Sequence, residues 1–320
     1  MSDNQKKQLK KQLRNIANSL STHKKQIMRN IVLILLMAFA FQTFTFGQQR
    51  VKTSDGKEVL LYEDGTWKYD NGVPHNKTNT GKIKNLEIPK AKAGEMIISH
   101  TGYSLSYNET HEQANWVAYE LTKEETNKLF DRTDKFMVDP LVKTGSANDN
   151  DYSKSGYDRG HLVPAADMGW SSTTMAESFY YSNMSPQEPG FNRGIWKKLE
   201  ELVRSWAIEN DNIYIVTSPV LTNGLATIGT NKVSIPEYYY KVILDYSEPD
   251  IKGIGFIMKN TGSQSPLQNF AVTIDSVERY TGIDFFPLLP NDQKKAIKNT
   301  LCLNCWNWNG IKPGIDNNDN

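Results

Sequence analysis

The pattern of hydrophobic and polar positions predicts a chain of strands with a few amphipathic helices. Three runs of aliphatic and aromatic residues, at 212–220, 238–245 and 252–258, are typical of strands. The turn-forming residues between the last two runs predict a hairpin. Apolar residues at positions 195, 199, 202, 203 and 206 recur at helical spacing and predict a helix that begins at Ile195. Because strands and helices do not alternate regularly, the pattern favours the α+β class.

The N-terminal region contains one apolar segment behind basic residues. Residues 31–41 form an unbroken apolar run that follows Arg29. The run is shorter than the about 20 residues that span a bilayer, and it fits the about 7–15 residues of a signal-peptide core. We therefore predict a signal peptide over residues 1–47, with an uncleaved membrane anchor as the alternative. Since the segment before the run is unusually long, we hypothesise that translation starts at Met28.

This signal predicts export to the periplasm or the extracellular space, with no stable membrane association after cleavage.

The rest of the chain divides into segments of different character. C-terminal to the signal, Asp-Gly pairs at 55–56 and 64–65 separate β-prone runs and predict a small β-ribbon over residues 48–70. The polar residues 71–85 are rich in turn formers and predict a linker. The main domain is expected at residues 86–310, followed by a disordered tail at 311–320.

Charge is distributed unevenly along the chain. Eight of the 37 basic residues but only one of the 36 acidic residues precede Gln48, which leaves 29 basic and 35 acidic residues in the remainder. The hydrophobic content of 38% is enough for a core and excludes a wholly disordered or multi-span membrane protein. Since Lys and Arg contacts to phosphates dominate non-specific affinity for nucleic acids, a nucleic-acid site on this acidic body needs a local basic cluster.

The segment Asp158-Arg159-Gly160-His161 carries the strongest chemical signal. In an extended strand, Arg159 and His161 lie two positions apart and project from the same face. An imidazole that takes a proton from water, beside a guanidinium that neutralises phosphate oxygens, suits hydrolysis of a phosphodiester. The alternative from spacing alone is an ordinary histidine at a strand end beside a surface arginine.

A second pattern lies on the predicted helix. At about 100° per residue, Asn192, Trp196 and Glu200 form one row beside the apolar stripe. An amide oxygen and a carboxylate suit a hydrated Mg²⁺, which takes only one or two protein ligands. The alternative is that Asn192 caps the helix and Glu200 is a solvated residue.

Together these residues resemble the DNA/RNA non-specific endonuclease family, which includes endonuclease G. The resemblance covers about residues 86–287 and rests on Asp158-Arg159-Gly160-His161, Asn183 with Gln187, Asn192 with Glu200, and Tyr240-Lys241-Val242 downstream. It implies a ββα-metal (His-Me finger) core with a central antiparallel sheet flanked by helices. It also implies a Mg²⁺-dependent endonuclease that cleaves DNA and RNA without sequence specificity and leaves 5′ phosphates.

The resemblance further implies a role for each residue. His161 would be the general base, and Asn192 the sole direct protein ligand of Mg²⁺, for which Mn²⁺ is an alternative. Glu200 would orient water of the metal's hydration shell, and Arg159 would contact the scissile phosphate. The remaining predicted site residues would position the histidine or bind substrate: Asn183, Gln187, Arg193 and, as a second phosphate-binding arginine, Arg132.

Several alternatives stay open at this point. A catalytically inactive secreted binding module on the same fold, or a phosphodiesterase acting on a different phosphodiester, would carry the same motif. The only cysteines, Cys302 and Cys305, form a lone CxxC that is compatible with a disulfide or with free thiols. Asp275 and Glu278 predict a capping box for a short helix that Gly282 ends. The oligomeric state is not predicted.

Overall fold

The computed structural model describes residues 82–248 and 251–310, together with the backbone of three strands between residues 49 and 69. The chain divides into two units after Asp70. The first contains an antiparallel sheet of β1 (Gln49–Lys52), β2 (Glu58–Leu61) and β3 (Trp67–Tyr69). The predicted signal peptide, most of the predicted linker and the predicted tail lie outside the described residues.

The second unit is built on a seven-stranded antiparallel sheet with the order β14-β13-β12-β9-β6-β5-β4. Two further pairs, β7–β8 and β10–β11, lie outside this sheet. The strands are β4 (Ile97–Ser99), β5 (Ser104–Asn108), β6 (Gln113–Thr122), β7 (Asp158–His161), β8 (Met184–Gln187), β9 (Asn212–Pro219), β10 (Thr227–Ile228), β11 (Val233–Ser234), β12 (Tyr238–Asp245), β13 (Lys252–Lys259) and β14 (Ala271–Val272).

Helices cover both faces of the sheet because its strands are apolar on both sides. The helices are α1 (Asp149–Tyr152), α2 (Ser172–Glu177), α3 (Lys197–Asn210), α4 (Ile274–Thr281) and α5 (Asn291–Asn299). One core lies between the sheet and α3, where Leu199, Val203 and Trp206 are buried. The other lies between the sheet and α4 with α5. This arrangement confirms the predicted α+β fold with a central antiparallel sheet.

The helix predicted to begin at Ile195 is present, but its regular α-helical part begins at a different residue. Residues Phe191–Trp196 form a π-helical turn, and the regular helix α3 starts only at Lys197. Gly194 breaks the helical geometry, with φ −108° and ψ −109°. Because this turn is wider than an α-helical one and Gly194 interrupts it, Asn192, Trp196 and Glu200 do not lie on one continuous α-helix as the predicted row assumed.

The predicted capping box of α4 is also wrong by two residues. The extended Thr273 caps the helix, and its hydroxyl accepts a hydrogen bond from the Ser276 N–H at 3.1 Å. Asp275 instead lies in the first turn, where a carboxylate is favoured by the helix dipole. Gly282 ends the helix as predicted, in the left-handed conformation with φ +68°.

The C-terminal segment packs beside α3 and contains a disulfide between Cys302 and Cys305. The Trp306 ring is buried, with its centroid 4.4 Å from that of Trp206. In the described ranges, none of the helices reaches the length and hydrophobicity that a membrane crossing requires.

Candidate active site

The β7–β8 pair carries the predicted histidine and arginine. In its antiparallel register, Arg159 lies opposite Pro186 and His161 opposite Met184. Asn183, directly before β8, is fully buried, and its amide bonds both the N–H and the C=O of Val163, at 2.9 and 3.0 Å. Asn183 thus fixes the loop that follows His161, which is a positioning contact rather than a contact in the cleft.

The residue between Arg159 and His161 is a glycine, and a side chain from β8 occupies the space that a Cβ atom at this position would need. A Cβ atom at Gly160 would lie 2.2 Å from Oε1 of Gln187. The Gln187 side chain is fully buried, and neither amide atom has a hydrogen-bond partner in the described structure. The predicted substrate-binding Gln187 therefore packs against the backbone of the catalytic strand.

Replacing Gly160 with alanine is expected to lower the free energy of unfolding by about 1–3 kcal/mol, since a buried overlap forces neighbouring atoms apart. Urea denaturation measures this loss. In a Gln187→Ala background the same substitution should cost clearly less, because the overlapping atoms are gone. Equal costs in the two backgrounds would show that Gln187 is not the obstacle.

His161 lies between two phenylalanine rings that in turn contact the two predicted arginines. Its ring centroid is 4.9 Å from that of Phe179 and 5.8 Å from that of Phe136. The Arg159 guanidinium carbon lies 4.1 Å from the Phe136 centroid, and that of Arg132 lies 5.0 Å from the Phe179 centroid. The structure thus places Arg132 against Phe179, one of the two rings that contact His161.

This environment disfavours the charged form of the imidazole. His161 is only 8% exposed, and its Nε2 atom is buried without a hydrogen-bond partner. Burial, reinforced by the positive charges of Arg132 and Arg159, lowers the pKa of His161 to about 3. His161 is therefore neutral at physiological pH and able to accept a proton.

The lowered pKa of His161 predicts a loss of stability in acid. The unfolded chain, with an ordinary histidine pKa near 6.5, binds a proton that the folded state excludes, so stability is complete above that value and falls as the pH decreases. At pH 5 the expected loss is about 2 kcal/mol relative to pH 7.5. Urea denaturation in EDTA should show His161→Asn losing about that much less between the two pH values. The same loss in both proteins would refute a buried neutral histidine.

Four of the predicted residues line one cleft of about 690 Å³: Arg132, Arg159, Asn192 and Arg193. Among the described residues that line this cleft, neither His161 nor Glu200 is present. Each arginine is paired with an aspartate: Arg132 with Asp134, Arg159 with Asp149, and Arg193 with Asp158. Substrate phosphates would have to replace these carboxylates as arginine partners.

Asn192 is oriented by the first residue of β7. Its Nδ2 atom donates to Oδ2 of Asp158 at 2.9 Å, and the same carboxylate receives Nε and Nη2 of Arg193 at 2.8 and 2.6 Å. Because the nitrogen is engaged, Oδ1 of Asn192 is the atom left to bind a metal. Asp158, the first residue of the Asp158-Arg159-Gly160-His161 motif, thus accepts a hydrogen bond from Asn192, the predicted metal ligand. Asn192 itself lies before the regular helix α3.

The residues present suit a cation that keeps most of its water. Among the described residues, no three His, Cys, Asp or Glu side chains come together as a metal-binding group. Oδ1 of Asn192 and the half-buried Glu200 carboxylate are hard oxygen donors of the kind that Mg²⁺ takes in small number. Burial raises the pKa of Glu200, and the nearby Lys241 opposes this rise.

The predictions from the sequence did not include several residues that shape this site. Phe136 and Phe179, which hold His161, belong to no motif, and only the fold brings them together. Asp149 pairs with Arg159 from the short helix α1, ten residues upstream. Lys241, a lysine in a mostly apolar strand, was part of the resemblance but had no role assigned to it.

Comparisons with known proteins agree with this geometry. Residues 79–292 match the sequence profile of the DNA/RNA non-specific endonuclease family. Over 238 residues the chain is 36% identical to the mitochondrial nuclease EXOG of Danio rerio, covering 68% of this chain and 69% of that protein. It is 34% identical over 204 residues to mitochondrial endonuclease G of Homo sapiens, covering 59% and 69%.

Similarity extends to a fungal nuclease and to a solved structure. Nuclease C1 of Cunninghamella echinulata is 35% identical over 210 residues, covering 60% of this chain and 83% of that protein. The crystal structure of a complex of EndoG with EndoGI has a TM-score of 0.60 and 32% identity, covering 64% of this chain and 90% of that one. The chain therefore belongs to the DNA/RNA non-specific endonuclease family and is a hydrolytic endonuclease, as its motifs predicted.

Proposed function

We propose that this protein is an exported, Mg²⁺-dependent endonuclease that hydrolyses DNA and RNA without sequence specificity and leaves 5′ phosphates. The observation that carries the proposal is a neutral, buried His161 whose ring contacts Phe136, a residue that lines the cleft together with three arginines and Asn192. These groups suit phosphate and water, and the proposal assigns none of them to the recognition of a base.

The residues divide the chemistry between them. His161 accepts the proton of the attacking water, and its neutral state makes it available over the whole neutral range. Arg159 and Arg132 neutralise the charge that develops on the phosphate oxygens.

A second group of residues would hold the cation. Asn192 would hold Mg²⁺ through Oδ1, while Glu200 would accept hydrogen bonds from the cation's hydration water. When bound, Mg²⁺ supplies positive charge that stabilises the transition state and the departing oxygen; Mn²⁺ would suit the same oxygen donors. Asp158 keeps the Asn192 amide in the orientation that this binding requires.

Export is supported by two features of the chain itself. The apolar run at 31–41 behind Arg29 has the length of a signal-peptide core. The Cys302–Cys305 disulfide is of a kind that persists in oxidising compartments. EXOG and endonuclease G are named as mitochondrial proteins, so the periplasmic or extracellular location is proposed for this chain alone.

The ends of the products test the proposal. After limited nicking of a supercoiled plasmid in Mg²⁺, the nicks should be sealed directly by a DNA ligase, which needs a 5′ phosphate and a 3′ hydroxyl. RNA fragments should likewise carry 5′ phosphates. Nicks that the ligase does not seal would overturn the proposed direction of bond cleavage.

A further inference from the structure

The π-helical turn that carries Asn192 is bound at its beginning by Glu188, the residue that follows β8. The backbone C=O of Glu188 accepts the N–H groups of Phe191 and Asn192 at 3.0 and 2.9 Å. Oε2 of its carboxylate also accepts the Phe191 N–H, at 3.0 Å. Glu188 therefore holds the first two residues of the turn through its backbone and its side chain together.

The same carboxylate reaches the loop that follows β13. Oε2 of Glu188 accepts the N–H of Gly262 at 3.0 Å. The two main chains approach closely here, since a Cβ atom at Gly262 would lie 3.3 Å from the carbonyl carbon and oxygen of Gly190. One carboxylate oxygen thus joins the turn to a loop of the central sheet through charge-assisted hydrogen bonds, which are stronger than neutral ones.

Asn260 makes the reciprocal contacts from the sheet. Its Oδ1 atom accepts the N–H of Glu188 at 2.8 Å, and its Nδ2 atom donates to the carbonyls of Pro186 and Pro236 at 3.1 and 2.9 Å. Its own N–H donates to the C=O of Glu237 at 2.8 Å. Asn260 therefore fixes the end of β8 to the sheet at the place where β12 begins and β13 ends.

Apolar packing holds the same turn from the core side. The buried Phe191 ring has its centroid 5.1 Å from that of Trp196 and 5.3 Å from that of Tyr239. Such packing is not directional, whereas hydrogen bonds restrict the orientation of the groups that make them. The hydrogen bonds at Glu188 therefore set the orientation of the backbone on which Asn192 stands.

We propose that Glu188 and Asn260 are positioning residues that form an anchor between the π-helical turn and the central sheet, and that this anchor keeps Oδ1 of Asn192 in place for the cation. The inference rests on the role of Asn192 in the proposed function. It depends on hydrogen bonding by the two side chains and assigns neither of them to contact with the cation or the substrate. As far as the chain is described, neither residue lines the cleft.

The first test compares Glu188→Ala with Glu188→Gln in Mn²⁺ binding, measured by electron paramagnetic resonance. Glu188→Ala removes the acceptor, and Mn²⁺ affinity should fall about 10-fold, as when other groups that orient a metal ligand are lost. Glu188→Gln removes the charge but keeps a side-chain oxygen with two lone pairs. Its Mn²⁺ affinity should therefore stay within about 3-fold of the wild-type value.

Asn260→Ala tests the other half of the anchor while the Glu188 carboxylate stays in place. It removes three hydrogen bonds, and Mn²⁺ affinity should again fall about 10-fold. The two positions together separate positioning from attraction of the cation by negative charge. Attraction alone would make Glu188→Gln as weak as Glu188→Ala and leave Asn260→Ala with wild-type affinity.

Hydrogen exchange of the metal-free protein tests the anchor without any cation. In EDTA, the N–H groups of Phe191, Asn192 and Gly262 should exchange about 10-fold faster or more in Glu188→Ala, because the turn opens without breaking a charge-assisted hydrogen bond. Amides in the middle of α3, such as that of Val203, should keep their wild-type exchange rates.

Glu125→Ala is the matched control. Glu125 is a half-buried glutamate whose Oε2 atom also accepts a backbone N–H, that of Thr122, at 2.9 Å, and it lies outside the described lining of the cleft. This variant should leave Mn²⁺ affinity and the exchange of the Phe191 and Asn192 amides unchanged, whatever it does to stability.

Three results would overturn the inference: wild-type Mn²⁺ affinity in Glu188→Ala, equal losses of affinity in Glu188→Ala and Glu188→Gln, or an equal loss in Glu125→Ala. If Glu188→Ala does not fold, wild-type affinity in Asn260→Ala overturns it. Failure of both alanine variants to fold also overturns it, since the anchor would then support the fold itself.

Failure of the anchor is distinguishable from failure of the proposed function. If the wild-type protein binds no Mn²⁺, the proposed function fails and the role of the anchor toward the cation fails with it. Hydrogen exchange then still decides whether Glu188 fixes the turn, and unchanged exchange of the Phe191 and Asn192 amides in Glu188→Ala would show that it does not.

Discussion

Replacing His161 with alanine is expected to lower the rate of phosphodiester cleavage by about 10²–10⁴-fold, the usual contribution of a general base. His161 is the only histidine that contacts Phe136 and Phe179 in the described structure, and burial keeps it neutral. Mn²⁺ affinity should be unchanged, because the metal is assigned to Asn192. Rates of plasmid nicking at saturating Mg²⁺ measure the effect.

His111→Ala provides a control for the loss of a buried imidazole. His111 is 9% exposed, burial lowers its pKa, and its Nδ1 atom is hydrogen-bonded to Ser234 at 2.8 Å, outside the cleft. This variant should lose stability but not cleavage rate when both are compared at a temperature where it is folded. Equal rates for His161→Ala and the wild type would remove His161 from the mechanism.

The second large effect is expected at Asn192. Asn192→Ala should lower cleavage by about 100-fold or more and raise the Mg²⁺ concentration needed for half-maximal rate, because it removes the residue that we propose as the one direct protein ligand. It also leaves the Asp158 carboxylate without its amide partner. A titration of rate against Mg²⁺ separates this loss from the loss at His161, which should not shift the Mg²⁺ requirement.

Asn150→Ala is the matched control, since Asn150 is an exposed asparagine of the same cleft. It should leave the Mg²⁺ requirement at the wild-type value. An unchanged Mg²⁺ requirement in Asn192→Ala, or an equal shift in Asn150→Ala, would contradict the assignment of Asn192 as the metal ligand.

The sequence predicted best where one interaction dominates a segment. The strand expected at 238–245 has those bounds in the structure, and those expected at 212–220 and 252–258 differ by one residue each. In these segments a continuous apolar run leaves burial on both faces as the only stable arrangement. The family motif likewise indicated the fold and the enzyme class, because its residues are set by the reaction.

Local predictions failed where backbone geometry departed from the regular pattern. The row of Asn192, Trp196 and Glu200 assumed a continuous helix, but Gly194 interrupts it. Asn192 lines the cleft from the π-helical turn, and a hydrogen bond to Asp158 orients its amide. The helical periodicity of the sequence reveals neither feature. The cap at Thr273 was missed because the helix begins earlier than the Asp275–Glu278 spacing suggested.

Contacts between residues far apart in the chain could not be predicted from the sequence. The rings of Phe136 and Phe179 lie against His161, and Asp149 pairs with Arg159, only because the fold brings them together. Lys241 is the instructive case, since a lysine in an apolar strand marks an unusual position but does not identify its partner. Only the fold brings its ammonium to the Trp196 ring.

The most direct test of the central claim is cleavage of supercoiled plasmid and of single-stranded RNA by the purified protein in Mg²⁺ and in EDTA. We expect both substrates to be cut in Mg²⁺, neither in EDTA, and activity to return when Mg²⁺ or Mn²⁺ is added in excess. Failure to cut either substrate with any divalent cation, or undiminished cutting in EDTA, would contradict the account.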